Sequence, residues 1–218
     1  MVAPTRVRTD QHGPERLIAL SDGVFSIAMT LLVLDISVPP GLSTADFDEA
    51  LGDLPQKISA YALSFVIIGA FWLDHGRVLR GLRAVDRPII AVTLLGLGFI
   101  AFLPFPTSLL SEYGNEPVSV AVYAATIAAT DVTQIGLVLL RARRPWLNEH
   151  PIPPELMRSW ITDTGATVAV FAVSIPLAWP LGGHAIWLWL LMIPVKFATG
   201  RRHAAVVRRV GEQDMDAP

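Results

Sequence analysis

The chain has 218 residues, of which 52% are apolar and 17% charged, with a formal net charge of −2 and no cysteine. Its mean hydropathy is +0.50, and soluble domains carry roughly 25% charged residues, so a soluble fold is excluded. Disulfides and thiolate chemistry are excluded as well, and a net charge this small gives no argument for a nucleic-acid partner.

Residues 1–14 are polar and read as a flexible tail. From Glu15 the chain runs ERLIALSDGVFSIAMTLLVLDISV, an apolar stretch long enough to cross a bilayer. It is longer than the apolar core of a signal peptide and lacks a small-residue cleavage site, so it is expected to remain in the protein. It carries Ser21 and Asp22 near its leading end. A carboxylate at the centre of a spanning helix costs about 2.5–3.5 kcal/mol on insertion scales, so that side of the helix is expected to meet protein or water. Ile27, Leu31 and Leu34 fall together on a different face.

Pro39-Pro40 ends the first span, and Asp46, Asp48, Glu49 and Asp53 read as an acidic loop. A second span is expected over about residues 58–79, ending in WLDHGRVLRGLR. A third covers about 89–110, with Pro104 and Pro106 bending or ending it. A fourth covers about 118–140 and contains Asp131. The proline-rich connector RARRPWLNEHPIPPE leads to a fifth span, about 160–181. Gly182-Gly183 then turns the chain into a sixth, about 185–199. Residues 201–218 form a second tail, which leaves residues 15–200 as one membrane unit.

Six crossings place 16 of the 17 Lys and Arg residues at one end, with only Lys57 at the other. The positive-inside rule then puts both termini in the cytoplasm. Trp146, Trp160, Trp179, Trp187 and Trp189 fit interfacial belts. The fold expected is all-α and polytopic, with six transmembrane helices.

No HExxH, GxSxG, Walker A or GxGxxG signature is present, so no enzyme activity is expected. The five histidines show no i,i+4 pair, so no metal site is expected. GLGF at 96–99 sits inside an apolar helix and fits small-residue packing better than an ion filter. Asp22 has two readings: contact with a permeating cation, or a buried polar network with Arg16, Ser21 and His75. Trp72 and His75 read as packing or hydrogen-bonding partners. Asp131 could relay protons or be a buried carboxyl bonded near Thr130 or Thr133. The aliphatic stripe could pack against helices or line a pore.

Arg16-x-x-x-Leu20-Ser21-Asp22 followed by GVFSIAMTLLVLDI resembles the first helix of the lysosomal potassium channel family known as transmembrane protein 175, in its bacterial form. Leu20 stands where that family usually has Phe. FWLDHGRVLRGL resembles the family's Trp/His-bearing helix end. The resemblance implies a homotetramer whose pore is lined by the first helix of each subunit. It implies a constriction at Ile27, Leu31 and Leu34, and a polar selectivity layer at Thr30. It leaves Arg16, Ser21, Asp22, Trp72 and His75 as a structural polar network. The implied activity is passive flux of potassium, and of other monovalent cations, across a bacterial inner membrane, with no cofactor. A proton-coupled transporter, or a proton-permeable channel, using Asp22, His75 and Asp131 stands as the alternative.

Overall fold

The computed structural model describes residues 13–191. Six α-helices make up most of it: α1 (Glu15–Leu31), α2 (Thr44–Arg80), α3 (Arg87–Phe102), α4 (Pro104–Glu112), α5 (Pro117–Arg143) and α6 (Pro154–Leu181). Among the described residues there is no sheet, only an isolated antiparallel bridge between Leu82 and Asn148. Five helical segments are long and apolar enough to cross a membrane, α3 and α4 counting as one crossing. The expected sixth span lies mostly outside the described residues, and so do nearly all of the 1–14 tail and the whole 201–218 tail.

Local chemistry sets the ends of these elements. α1 tightens at its far end into a 3-10 turn, Leu32–Asp35, before Pro39-Pro40 forces extended backbone. The acidic stretch read as a loop is instead helical. Ser43 caps α2, accepting from the Asp46 N–H at 3.3 Å and donating to the Asp46 carboxylate at 2.7 Å. Helix therefore begins at Thr44 and carries Asp46, Asp48, Glu49 and Asp53 into solvent-facing turns. The resulting 37-residue helix is roughly 55 Å long at about 1.5 Å per residue, well beyond an apolar layer of about 30 Å.

The third crossing breaks where its prolines sit. Pro104 has no N–H to give Ile100, whose carbonyl accepts from Leu103 instead at 3.2 Å. The chain restarts as α4 with Leu103 fully buried. α6 ends at Gly182, whose φ of +53° lies in the left-handed region. A Cβ on Gly183 would fall 2.8 Å from the Gly114 carbonyl, so the chain passes the α4–α5 turn at a distance only glycine allows. Beyond it, the 3-10 segment Gly182–Leu191 folds Trp189 inward. Trp189 stacks on Tyr123 at 5.0 Å, tilts against Phe171 and donates to Ser174 Oγ. Trp189 is thus a core residue and not part of an interfacial belt, whereas Trp179 is exposed.

α5 is the central helix, with 61% of its most apolar window buried against 22–33% in the other crossings. That explains its many small residues. Gly96 of α3 meets it so closely that a Cβ would lie 2.7 Å from Thr133 Oγ1, as the packing reading of GLGF expects. Two apolar clusters form around α5: one holds Phe25, Leu32, Ile68, Ile100 and Ile127, the other Leu17, Leu79, Ile89, Leu137 and Leu147.

The arginine-rich end is closed by Arg141, a buried cation on α5. Its guanidinium donates to the carbonyls of Val78 (2.6 Å) and Gly81 (3.0 Å) and to Asn148 Oδ1 (2.9 Å). It satisfies the last carbonyls of α2, which helix geometry leaves without partners. Arg144 pairs with Asp86, whose carboxylate also accepts from Ile89 N–H at the start of α3. Replacing Arg141 with Ala removes all three bonds and leaves buried carbonyls unpaired, a loss of about 3 kcal/mol. A lower thermal unfolding midpoint in detergent, only partly recovered by Arg141→Lys, is the expected result.

Candidate pore-lining helix and its polar anchor

α1 has two distinct faces. Leu17, Ser21, Phe25, Ala28 and Leu32 are buried against the bundle. On the other side Leu20, Ile27, Leu31 and Leu34 are exposed, Ile27 at 60% and Leu34 at 69%. Among the described residues the stripe singled out by spacing is therefore largely exposed, apart from the face that packs on the bundle. Thr30 is exposed beside it, its hydroxyl donating to the Ile27 carbonyl at 2.9 Å, which leaves its oxygen lone pairs facing outward as acceptors.

The polar residues divide into two sites. Ser21 is buried, donates to the Leu17 carbonyl at 2.8 Å, and lies 3.2 Å from His75 Nε2. The other ring nitrogen of His75 lies 3.2 Å from Gln134 Oε1. One imidazole thus joins α1, α2 and α5, and in sequence all three residues fall between the two apolar clusters. With the Gln134 oxygen facing Nδ1, a neutral His75 carries its proton on Nδ1 and accepts from Ser21 at Nε2. The Ser21 hydrogen is then shared between the ring and the Leu17 carbonyl. Phe25 rests against the ring, centroids 5.6 Å apart.

Asp22 is apart from this buried layer. It is exposed and accepts from the Trp72 indole N–H at 2.8 Å. Arg16 is exposed too, and no bond between it and Asp22 occurs among the described residues. The network expected as one cluster is a buried Ser21–His75–Gln134 layer and a separate surface clasp, Asp22–Trp72. Both fasten α1 to α2, and the clasp lies on a side of α1 distinct from the buried layer. Asp131 is buried on α5. The hydroxyls of Thr130 and Thr133, its expected neighbours, donate to the carbonyls of Thr126 and Thr130.

Sequence reasoning missed three features. Gln134 completes the His75 layer. Toward the opposite end of the bundle Thr107 donates to Ser64 Oγ at 2.8 Å, and Ser64 lies 3.0 Å from Tyr123 Oη, which ties α2, α4 and α5 together. Arg141 was counted as one more loop charge. A lone polar residue inside an apolar run was the available signal for Ser64, whereas Gln134 follows Asp131 and Thr133 and Arg141 opens the run RARR, so neither stood out. A cleft of about 110 Å³ beside Gln134 is lined by Asp74, Arg77, Trp160 and Asp163 among others. Among the described residues no group of His, Cys, Asp or Glu is arranged to hold a metal ion.

Comparison with known proteins finds similarity to one family of channels. The family described as endosomal/lysosomal potassium channel TMEM175 matches residues 16–104. A protein named potassium channel from Streptomyces collinus is 41% identical over 118 residues, 52% of this chain and 57% of that one. Another so named, from Chamaesiphon minutus, is 37% identical over 125 residues, 55% of this chain and 62% of that one. The aligned stretch therefore spans about three-fifths of these relatives. A human relative named endosomal/lysosomal proton channel is 24% identical and aligned over 28% of its own length. Among solved structures, that of a lysosomal potassium-selective channel TMEM175 homologue from Chamaesiphon minutus superposes with a TM-score of 0.73. It does so at 26% identity, over 85% of this chain and 97% of that one.

Loss of the His75 side chain by His75→Ala leaves a void and an unpaired Gln134, whereas Ser21→Ala removes one shared hydroxyl. The expected order is a cost of about 2–4 kcal/mol for the first and about 1 kcal/mol for the second. Thermal melts of the two purified variants check that order.

Proposed function

We propose that this chain, a homologue of the TMEM175 channel family, is one subunit of a passive potassium-conducting channel. The observation that carries the reading is the uncovered stripe of α1. A helix anchored to its own subunit by Ser21, Phe25 and His75 turns Ile27, Leu31 and Leu34 outward at a fixed angle. One such helix cannot enclose an axis, so the pore needs several copies, and closed rotational symmetry repeats the same stripe around it. A homotetramer is the assembly proposed. Rings of Ile27, Leu31 and Leu34 form its constriction, and Thr30, between Ile27 and Leu31, forms the polar layer that favours cations.

Aliphatic rings offer no oxygens to replace an ion's hydration shell, so such a channel passes partly hydrated ions and closes by drying. Its selectivity over other monovalent cations then depends on Thr30 and on potential at the mouths, and is modest. The unit occupies residues 15–200, with short tails at 1–14 and 201–218. The arginine-rich end and both termini face the cytoplasm of a bacterium across its inner membrane. Neither a cofactor nor an enzymatic activity enters this reading. Proton permeation through the same pore is the second reading, favoured by the printed name of the human relative. A relay through Asp22, His75 and Asp131 is disfavoured, because Asp22 and His75 lie in separate hydrogen-bonded sites.

Two substitutions test the assignment. Ile27→Asn supplies amide partners to water and ions at the narrowest ring. It is expected to raise open probability or unitary conductance several-fold and erode potassium preference in reconstituted single-channel recordings. Currents equal to wild type from intact Ile27→Asn assemblies exclude Ile27 from the gate. Asp22→Asn, by contrast, weakens the clasp on Trp72 and is expected to lower the yield of assembled protein while leaving ion preference unchanged. Altered selectivity in a well-assembled Asp22→Asn channel contradicts that division of labour.

A further inference from the structure

The arginines at one end of the bundle differ in what holds them. Arg141 is buried under the end of α2, Arg144 pairs with Asp86, and Arg77 pairs with Asp74 at 2.9 Å. Arg83 is held in another way. Its backbone N–H donates to the Leu147 carbonyl at 2.9 Å and its Nε donates to the Trp146 carbonyl at 2.8 Å. The side chain is pinned at its Nε, yet the residue is exposed. Among the described residues its two terminal amino groups make no hydrogen bond or ion pair.

Trp146 stands beside it at 55% exposure, on a short 3-10 turn (Pro145–Leu147) whose neighbours Leu147 and Asn148 are buried. The Leu82–Asn148 bridge and the Glu149 N–H to Gly81 carbonyl bond fix this turn to the α2–α3 loop. An indole exposed on so rigid a loop suits the boundary between water and hydrocarbon, where its ring lies among lipid carbonyls and its N–H stays wet. Arg80 ends α2 and Arg87 begins α3, both exposed, so this surface adjoins the apolar part of two crossings.

We propose that Arg83 and Trp146 form a docking surface for the phosphodiester headgroup of an anionic phospholipid in the leaflet at this end of the bundle. A guanidinium held through Nε presents its two remaining amino groups as a fork that matches two phosphate oxygens. Pinning that fork in advance reduces the ordering cost of binding. The indole covers the glycerol backbone, and Arg80 and Arg87 add attraction for negative lipid. The reading requires that the chain lie in a membrane and does not depend on ion conduction.

Native mass spectrometry of the detergent-solubilised full chain tests it, with phosphatidylglycerol and phosphatidylcholine of identical acyl chains as probes. Phosphatidylglycerol is expected to bind in excess, and Arg83→Gln to reduce that excess about fivefold, the share of one interfacial arginine. Trp146→Ala is expected to weaken retention of both lipids, and Trp146→Phe to restore much of it. Arg87→Gln, which leaves the loop bonds untouched, is expected to reduce the excess less than Arg83→Gln. Equal binding of the two lipids overturns the proposal, as does an undiminished excess in a folded Arg83→Gln protein. Displacement of the lipid by millimolar inorganic phosphate overturns it in favour of a free-anion site.

Discussion

The arrangement of α1 depends on one buried imidazole. His75 is the point where α1, α2 and α5 share hydrogen bonds, and it sits in a layer between two otherwise apolar clusters. Apolar contacts alone are non-directional and tolerate rotation of a helix about its axis. A polar layer does not, because turning α1 away from this angle takes Ser21 from His75 and strands a buried ring nitrogen, at a cost of about 1–3 kcal/mol. The angle at which Ile27, Leu31 and Leu34 leave the subunit is therefore fixed by Ser21, six positions before Ile27 and on the opposite side of the helix. Specification of an exposed face by a polar pair on the other face reconciles a costly buried histidine with a chain that otherwise gains from apolarity.

The same logic recurs along the bundle. Ser64, Thr107 and Tyr123 bind α2, α4 and α5 at one level, and Arg141 with Asn148 closes another. Each level pairs α5 with α2, the longest helix. Between levels lie the two apolar clusters, with close approach of backbones where a small residue allows it, as where Gly96 meets Thr133. Directional bonds set register here and close packing supplies the remaining contact, as expected where lipid removes most of the hydrophobic drive between helices.

Much of this was legible in the sequence, for identifiable reasons. Long apolar runs bounded by arginines report crossings directly, and Pro104 reports the break at Leu103 because a missing N–H acts locally. The stripe on α1 was readable because spacing alone decides which residues share a face. The polar partners were less readable. The sequence reading put Ser21 and Asp22 together in one network, but only Ser21 is buried in it, the two positions differing by about 100° on a helix. Gln134 and Tyr123 meet His75 and Ser64 only through tertiary packing, and Trp189 entered the core because a 3-10 segment after Gly182 turned it inward. The acidic stretch 46–53 was misjudged because charge was taken as a sign of loop, whereas Ser43 supplies a cap and the residues after it form helix readily.

The length of α2 has a further consequence. Its first turns carry Asp46, Asp48, Glu49 and Asp53 on one side and Phe47, Leu51, Leu54 and Ile58 on the other, so this stretch is amphipathic. A helix with an abrupt boundary commits its subunit to one bilayer thickness, and any mismatch is met by distortion. Here the apolar side of the stretch can meet hydrocarbon while the carboxylates stay in water, and only a layer thick enough to take in Asp53 meets the cost of a carboxylate in lipid. The arginine-rich end, stapled by Arg141 and Asn148, has no such latitude. Adjustment to membrane thickness is thereby confined to the acidic side, where it leaves the arginine-rich loops undisturbed.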